Sequence, residues 1–264
     1  MKNKILSHLP ASFLWRGNIH YFDTIDSTNT HAKALASKGA PHGTALIADS
    51  QTGGRGRMGR SFHSPAGCGI YLSVILRPNC PAAKLMHLTC AAAVAAADGI
   101  EAATGLRPGI KWTNDLVVGQ KKLGGILTEL SLDSHGNVDY AIIGIGINCN
   151  QSADDFPDDI KRIAASLQMC TGRSVDRAAV IARVLAALQE MSENLHDSDA
   201  TLRRYRKDCI TIGREISLVR GDEIRHGKAL DVDNEGALVV EFSDGHTESV
   251  TSGEVSVRGM YGYV

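Results

Sequence analysis

The chain has 264 residues, of which 43% are hydrophobic and 22% are charged, and its formal net charge is −1 at pH 7. This composition is typical of a globular protein with room for one large domain and a small one. The near-zero charge argues against a protein that coats nucleic acid or binds an anionic membrane surface. The six cysteines lack C-x-x-C and zinc-finger spacing, which favours reduced thiols and a cytoplasmic location. We find no signal peptide and no apolar run of transmembrane length.

The first elements along the chain lead to a helix that begins with polar residues. Residues 1–17 are predicted to form a short lead-in segment, and a strand is predicted at 19–22. Next comes Asp26-Ser27-Thr28-Asn29, directly before a helical pattern at 31–36. Ser27 or Thr28 is therefore the expected N-cap. The same helix end offers hydroxyls and amides to a polar ligand group.

One loop is rich in glycine and arginine, and it follows a strand predicted at 44–48. Its sequence is Gly53-Gly54-Arg55-Gly56-Arg57-Met58-Gly59-Arg60. Glycines let backbone amides approach an anion closely, and arginines present forked donors that fit carboxylate or phosphate. We expect this loop to become ordered when an anionic ligand binds. A solvated surface loop and a nucleic-acid-binding patch are the alternative interpretations.

The middle of the chain predicts an antiparallel sheet with one long helix. Strands are predicted at 69–76, 110–118, 121–130 and 140–148, with a tight turn at Gly119-Gln120. The last of these strands is apolar at nearly every position, which is typical of a central strand. An Ala-rich helix at 82–104 is expected to be buried against the sheet. Further helices are predicted at 160–169 and at 202–207. A third, amphipathic helix is predicted to begin at an N-cap formed by Ser174.

The pattern changes near residue 212, where short alternating strands are separated by tight turns. Such a segment of about fifty residues predicts a small barrel. We therefore divide the chain into a lead-in at 1–17, a large domain at 18–211 and a small domain at 212–264. The predicted fold class is α+β, with a mixed, mainly antiparallel sheet packed with helices, followed by a small SH3-like β-barrel.

Three polar clusters carry the candidate chemistry: Gln51 with the arginines of the loop, the segment Lys111 to Asp115, and Lys122. The predicted hairpin would bring the second and third clusters together. The chain has no Ser nucleophile elbow, no H-E-x-x-H and no Walker A motif. The remaining candidates are side chains that donate hydrogen bonds to anions, together with a few carboxylates. Such a set suits phosphoryl or nucleotidyl transfer, where catalysis depends mainly on positioning the substrates and stabilising charge. Turn formation at Asn114 and a solvated Lys122 are the simpler alternatives.

A set of motifs in this order resembles the biotin–protein ligase family, that is, the biotin–[acetyl-CoA-carboxylase] ligases. The motifs are Asp26-Ser27-Thr28-Asn29, Gln51-Thr52-Gly53-Gly54-Arg55-Gly56-Arg57, Ser64-Pro65-Ala66-Gly67, Lys111-Trp112-Thr113-Asn114-Asp115, Lys122-Leu123-Gly124-Gly125-Ile126-Leu127 and Gly144-Ile145-Gly146-Ile147-Asn148. The resemblance implies a catalytic domain like that of class II synthetases. Because it begins near residue 20, we expect a ligase without the N-terminal DNA-binding domain and without repressor function.

The resemblance implies a reaction in two steps. ATP with Mg²⁺ converts biotin to biotinyl-5′-AMP, and a lysine of the biotin carboxyl carrier protein then takes up the biotin. The implied partner is the carrier protein of acetyl-CoA carboxylase or of a related biotin-dependent carboxylase. The resemblance implies no DNA partner and no membrane partner, and a monomer or weak homodimer.

The family motifs also assign roles to residues of this sequence. The residues implied to bind biotin are Ser27, Thr28, Asn29, Gln51, Gly54, Arg55, Gly56, Arg57 and Lys122. Those implied to bind ATP are Arg55, Arg57, Arg60, Lys111, Asn114 and Asn148. The implied catalytic residues are Lys122, Arg57 and Asp115, and Asp115 is also the expected Mg²⁺ ligand.

The sequence departs from the family pattern at four positions. Met58 stands where a basic or small residue is common, Phe62 stands for Trp, Thr113 for Pro, and Cys149 for Val. Phe62 keeps an aromatic ring but lacks an indole N–H. Two competing interpretations are a lipoate– or octanoate–protein ligase of the same superfamily and a nucleic-acid-binding module. The net charge of −1 weighs against the second.

Overall fold

The computed structural model describes residues 1–251 and 256–259, and its main element is a seven-stranded mixed sheet. The strands are β1 (Ile19–Ile25), β2 (Thr44–Gln51), β3 (Gly69–Leu76), β4 (Gly109–Lys111), β5 (Asp115–Val118), β6 (Lys121–Leu132) and β7 (Val138–Asn148). They lie in the order β1-β2-β3-β7-β6-β5-β4. Only the β1–β2 pair among the described pairs of this sheet is parallel. The predicted mixed, mainly antiparallel sheet is confirmed.

The helices of the main domain pack on this sheet and on each other. They are α1 (Lys2–His8), α2 (Thr28–Ala36), α3 (Leu88–Thr104), α4 (Leu167–Thr171), α5 (Arg177–Glu193) and α6 (Ser198–Asp208). Helix α3 buries its run of alanines, as predicted, and Gly99 lets it approach α5 closely. A Cβ added at Gly99 would lie 2.5 Å from the Cα of Val184. Small residues thus bring two core helices into backbone contact.

The segment Ala82–Thr104 is, among the described residues, the one whose length and apolar composition would suffice to cross a membrane. The expectation that no segment reaches this limit is therefore wrong by that criterion. Most of the segment is buried inside the fold, and the core helix of a globular protein meets the same criterion.

Four predicted helix starts are wrong. The Ala-rich helix predicted from 82 begins at Leu88, after a 3-10 turn at Ala82–Leu85, and the helix predicted from 202 begins at Ser198. The other two have a clear cause in their contacts. Residues 160–166 do not form a helix, because part of this segment pairs with the backbone of Lys122. The Lys122 amide donates to Ile163 O at 2.6 Å, and the Lys122 carbonyl accepts from Ala165 N at 2.8 Å. Helix α4 begins only after Ser166. Helix α5 is capped by Asp176, not by Ser174, since the Asp176 carboxylate accepts from Ala178 N at 3.0 Å.

The predicted hairpin at Gly119-Gln120 is confirmed, with Val118 paired to Lys121. The single strand predicted at 110–118 is wrong, because a second hairpin divides this segment into two strands. Strands β4 and β5 pair with each other, and Lys111 lies opposite Asp115. The turn between them, residues 112–114, thus places polar side chains at one end of the sheet.

The end of the chain forms the predicted small β domain, seen as a five-stranded antiparallel sheet. Its strands are β8 (Glu215–Arg220), β9 (Glu223–Val232), β10 (Leu238–Phe242), β11 (Thr247–Val250) and β12 (Ser256–Gly259), in the order β11-β10-β9-β8-β12. Residues 252–255 and 260–264 of the predicted domain lie outside the described part. The two domain boundaries, after residues 17 and 211, stay predictions. Ile5, Phe13 and Trp15 of the lead-in are buried in the same core as the main sheet.

Candidate active site

One cavity of about 520 Å³ lies over the main sheet and brings together most of the predicted site residues. The predicted residues that line it are Ser27, Thr28, Asn29, Gln51, Arg55, Gly56, Arg57, Arg60, Lys111, Asn114, Asp115 and Lys122. These residues come from α2, β2, the Gly/Arg loop, the 112–114 turn and its flanks, and β6. Polar residues that lie up to 95 positions apart in the chain, Ser27 and Lys122, thus line the same cavity.

The start of α2 forms one end of the cavity. Ser27 caps the helix, as predicted, with Oγ accepting from Thr30 N at 3.4 Å. Gln51 Oε1 accepts from both the amide and the hydroxyl of Thr28, at 2.8 and 3.1 Å. The Gln51 Nε2 donates to Ser64 Oγ at 3.0 Å. The half-buried Gln51 amide is held in a fixed orientation beside the capped helix N–H groups, so it can bind a polar group of a ligand.

Ser73 on the sheet contacts the start of α2, and this residue was not identified from the sequence. Its hydroxyl lies 2.8 Å from Thr28 Oγ1 and 2.6 Å from Asn29 Oδ1, and the residue is fully buried on β3. A serine within an otherwise apolar strand is the signal that could have identified it. The Ser73 hydroxyl has one proton and donates to one of these two oxygens at a time. Because both contacts are buried, Ser73 holds the first two residues of α2 on the sheet.

Glycines of β7 form the floor of the cavity. A Cβ added at Gly144 would overlap the side chain of Asn29, and one at Gly146 would lie 2.6 Å from the Phe62 ring. Strand β5 lies two strands from β7, which corresponds to a separation of about 10 Å. The cavity therefore extends from the start of α2 to Asp115 on β5 over a floor that offers close approach to backbone.

The Gly/Arg loop closes one side of the cavity. A bridge between Arg55 and Ser61 closes the loop, and residues Arg57–Gly59 form a short 3-10 turn. Arg57 Nη1 donates to Asn114 Oδ1 at 2.8 Å. Burial lowers the pKa of the Arg57 guanidinium, and the charge of Asp115 opposes that shift. A guanidinium remains charged under these conditions, so Arg57 places a positive charge inside the cavity.

Lys122 and Asp115 form an ion pair at the other end of the cavity, with Nζ and Oδ1 2.6 Å apart. The side chains are 30% and 17% exposed, so both groups can reach a ligand in the cavity. The hairpin at Gly119-Gln120 thus brings Asp115 and Lys122 together, as the sequence predicted. The simpler interpretation of Lys122 as a solvated hairpin lysine is wrong, because its side chain faces Asp115 and Gly125.

Glu129 on β6 links α2 to the loop, and sequence reasoning also missed it. Its carboxylate accepts from Asn29 Nδ2 at 3.0 Å and lies 3.1 Å from Lys33 Nζ and 3.5 Å from Arg55 Nη1. Burial raises the pKa of the Glu129 carboxyl, but hydrogen bonds from Asn29 and Lys33 outweigh it and hold the pKa below its ordinary value. An acidic residue within the apolar strand 123–130 was the available signal.

Two predicted ligand residues do not line the cavity. Asn148 points to the 160–166 segment, where its Nδ2 donates to Ala165 O at 3.0 Å. Gly54 belongs to the loop but packs against residues 62–64, where an added Cβ would meet Phe62 O at 2.5 Å and Ser64 Oγ at 2.6 Å. In both cases packing of the neighbouring segment takes the residue away from the cavity, so direct ligand contact by either is not supported.

The four departures from the family pattern lie in different settings. Phe62 keeps a ring against Gly146, Thr113 and Cys149 are buried, and Met58 is 55% exposed at a left-handed φ of 55°. A non-glycine residue in that region is uncommon. Of the four, Met58 and Phe62 line the cavity.

The donor set indicates which charges the cavity suits. Arg55, Arg57, Arg60, Lys111 and Lys122 line it, and Asp115 is the single carboxylate among its described lining residues. No group of three or more metal-ligating side chains occurs within 1–251 and 256–259. Mg²⁺ commonly binds through one or two carboxylates together with substrate phosphates. The single Asp115 fits that mode and does not fit a cage built by the protein alone.

Comparisons with known proteins agree with this geometry. Residues 21–148 match the model of the Biotin/lipoate A/B protein ligase family, and residues 211–258 match the Biotin protein ligase C terminal domain. The biotin–[acetyl-CoA-carboxylase] ligase of Mycobacterium tuberculosis is 31% identical over 236 residues, which cover 87% of this chain and 85% of that protein. The chain belongs to the biotin–protein ligase family.

Further relatives of this ligase are found among solved structures and among sequences. The biotin protein ligase from Aquifex aeolicus in complex with biotin and ATP superposes with a TM-score of 0.78 at 31% identity, covering 92% of this ligase and 99% of that chain. The bifunctional ligase/repressor BirA of Bacillus spizizenii is 43% identical over 227 residues, which cover 85% of this ligase and 70% of that protein. The resemblance drawn from the motifs is confirmed.

Proposed function

We propose that this ligase adenylates biotin with Mg-ATP and transfers the biotin to a lysine of a biotin carboxyl carrier protein. The observation that carries the proposal is the convergence of Arg57 and Lys122 in one cavity whose other end is the polar start of α2. Two positive charges and a polar recognition end suit a ligand with a polar ring and a carboxylate, bound beside a phosphate. The Aquifex aeolicus ligase binds biotin and ATP in its complex, which supports the same pair of ligands here.

The start of α2 would hold the ureido ring of biotin. Ser27, Thr28 and Gln51 supply hydroxyl and amide groups there, and Asn29 supports them through Ser73 and Glu129. A ureido group has two N–H donors and one carbonyl acceptor, and this set offers partners for both. Polar groups that are already oriented lose little entropy when the ligand binds.

The first step joins two anions, and the cavity reduces their repulsion. A biotin carboxylate oxygen attacks the α-phosphorus, the new O–P bond forms, and the bond from the α-phosphorus to the bridging oxygen breaks, so that pyrophosphate leaves. Two unit charges 4 Å apart repel by about 4 kcal/mol at an effective dielectric constant of 20. Arg57 and Lys122 would offset this term as charge builds up on the phosphate.

The loop would close over the adenylate. The backbone amides of Arg55 and Arg57 would bind the anionic ligand, whereas the Gly56 amide donates to Arg60 O at 2.7 Å within the loop. Gly54 leaves room for the loop against Phe62 and Ser64. A mixed anhydride hydrolyses when water reaches it, so exclusion of water is part of the function. The tie between Arg57 and Asn114 gives the loop a fixed docking point.

The nucleotide would lie along the second half of the cavity. Arg55, Arg60, Lys111 and Asn114 line that region and can bind phosphate or adenine. Asp115 would hold Mg²⁺ together with the ATP phosphates; when bound, this ion neutralises phosphate charge. The orientation of Asn148 supports a role in the wall behind Lys122 instead of contact with ATP.

The second step would use the same cavity. The ε-amine of the carrier lysine attacks the carbonyl carbon, the C–N bond forms, and the bond to the phosphate oxygen breaks, so that AMP leaves. The incoming ammonium must lose a proton, and Asp115 is the one carboxylate among the described lining residues that could accept it. We expect the acceptor to be the carrier protein of acetyl-CoA carboxylase or of a related carboxylase. The absence of a repressor function, and action in the cytoplasm, stay predictions.

Pyrophosphate release without acceptor protein tests the first step. The purified protein is incubated with Mg-ATP and, in parallel, with biotin, lipoate or octanoate. Release with biotin alone supports the proposal. Release with lipoate or octanoate would reassign the acid, and no release with any acid in a folded protein would contradict the proposal.

A further inference from the structure

The turn at residues 112–114 is held by parts of the chain that lie outside the main sheet. Trp112 donates its backbone N–H to Thr211 Oγ1 at 2.8 Å and its indole Nε1–H to Gly236 O at 3.0 Å. Tyr205 on α6 donates its hydroxyl to Thr113 O at 3.1 Å. All three bonds are buried, so each holds its partner in place.

Gly236 belongs to the terminal β domain, in the turn between β9 and β10. Asp233 makes that turn rigid, because its carboxylate accepts from the amides of Glu235 and Ala237, each at 2.9 Å. Gly236 has a φ of +86°, and a Cβ added there would lie 3.1 Å from Cys90 Sγ. The turn is therefore a rigid element that fits closely against α3.

The turn that Gly236 contacts carries the polar residues of the cavity. Asn114 accepts from Arg57 and donates to Ile126 O, and Asp115 pairs with Lys122. We propose that the Gly236 carbonyl of the terminal β domain is a positioning group for adenylation. Through the Trp112 indole it fixes the 112–114 turn, and hence Asn114 and Asp115, in the cavity.

The contacts predict a separation of effects between the two ends of the cavity. Thr28, Gln51 and Ser64 hold the biotin end by bonds that stay within the main domain. A shift of the 112–114 turn would therefore disturb the nucleotide end and leave biotin binding intact. This inference rests on the proposed function for its kinetic readout, but the bond itself can be measured without any substrate.

Gly236→Ala and Gly245→Ala form a matched pair of variants. Gly245 lies in the turn between β10 and β11 with a φ of +80°, and an added Cβ has no atom within 4 Å. Both substitutions carry the same backbone strain at positive φ. Only the alanine at 236 meets Cys90, so only that variant should displace the turn from α3. Cys90→Ala/Gly236→Ala removes the obstructing sulfur and should restore the fit. Cys90→Ala alone is its reference, because Cys90 Sγ also lies 3.8 Å from Thr113 Oγ1 in the turn.

The indole resonances report the bond directly. The chain has two tryptophans, so a nitrogen–proton correlation spectrum of labelled protein shows two indole signals, and Trp112→Phe assigns them. We expect slow hydrogen exchange of the Trp112 indole in wild type and in Gly245→Ala, and at least tenfold faster exchange in Gly236→Ala. Trp15 is the internal reference. Fast exchange of the Trp112 indole in wild type overturns the proposal even if Gly236→Ala fails to fold.

Pyrophosphate release with biotin and Mg-ATP gives the second readout. Gly236→Ala should release pyrophosphate at least tenfold more slowly than Gly245→Ala, with a higher KM for ATP and a biotin Kd within twofold of wild type. The double variant with Cys90→Ala should recover most of the rate. Equal rates in the two glycine variants would overturn the positioning role. Absence of release in wild type, with the indole bond intact, would instead refute the proposed function.

Discussion

The Lys122 ammonium lies 2.6 Å from the Asp115 carboxylate, across the hairpin formed by β5 and β6. The pair places one positive and one negative group at the same end of the cavity. A negatively charged phosphate would attract Lys122, while Asp115 would become available to a cation. The pair thus keeps both groups oriented and partly desolvated before substrates bind.

Lys122→Ala should slow adenylation by roughly 10²–10³-fold, because it removes a charge that stabilises the pentacovalent phosphate and leaves Asp115 to repel it. Pyrophosphate release measures the effect. Lys161→Ala is the control, since Lys161 forms an equally short ion pair with Asp154 at 2.6 Å on the surface. Near-normal release by Lys122→Ala would refute the role of Lys122 in the first step.

Arg57→Gly should still form biotinyl-5′-AMP but should release it from the cavity. Loss of the Arg57–Asn114 bond removes the docking point of the loop, so water and the adenylate pass more freely. Biotin labelling of a bystander protein such as serum albumin measures this leakage. The double variant Arg57→Gly/Lys122→Ala is the control and should label nothing. Adenylate formation without bystander labelling would show that Arg57 does not retain the intermediate.

Glu129→Gln should destabilise the fold by about 1–2 kcal/mol, because the ion pairs with Lys33 and Arg55 are lost and the two cations are left with an uncharged amide acceptor. We also expect a higher KM for biotin, since Asn29 loses a fixed acceptor. Urea unfolding and steady-state kinetics measure the two effects. Glu248→Gln breaks an ion pair with Arg225 in the terminal domain and should leave the KM for biotin unchanged. The same KM in both variants would contradict the link between Glu129 and the biotin end.

The wild-type protein should also lose stability in acid through Glu129. The pKa of this carboxyl is lower in the folded protein than its ordinary value of 4.5. Its stabilising contribution is therefore complete above pH 4.5 and is lost as the pH falls through the folded pKa. Glu129→Gln should lose less stability than wild type between pH 5 and pH 3, as measured by urea unfolding. Parallel losses would contradict this assignment.

His87 should make the free energy of unfolding depend on pH in a range above that of Glu129. The residue is 3% exposed, burial lowers its pKa from 6.5, and no described group accepts from or donates to its Nε2. The unfolded chain binds the proton more readily, so stability is complete above pH 6.5 and falls as the pH drops below that value. His87→Gln should reduce the difference in unfolding free energy between pH 7.5 and pH 5.5. An unchanged difference would show that His87 does not contribute.

The sequence was informative wherever a local pattern determines the structure. Alternation predicted β3 at its observed bounds, and polar residues before a helical pattern predicted the Ser27 cap. It was less informative where partners lie far apart in the chain. Glu129 meets Asn29 across 100 positions, and Trp112 meets Gly236 across 124. No local spacing encodes such pairs, because they depend on the order of strands and on the packing of two domains.

The same reason explains the errors at single residues. The 160–166 segment has helical composition, but its backbone pairs with Lys122, and tertiary pairing outweighs a weak helix propensity. Asn148 ends a glycine-rich strand as the family motif requires, yet its amide donates to Ala165 O. The types of residue in the site were predictable, while the direction in which each side chain points depends on its neighbours in space.

A single turnover in the absence of free ATP tests the proposed two-step reaction most directly. The protein is loaded with labelled biotin and Mg-ATP, freed of unbound nucleotide by gel filtration, and mixed with a biotin carboxyl carrier domain. We predict that labelled biotin passes to one lysine of the carrier, with release of one AMP for each biotin transferred. Failure of the loaded, folded protein to transfer biotin, or a requirement for fresh ATP, would contradict a bound adenylate intermediate.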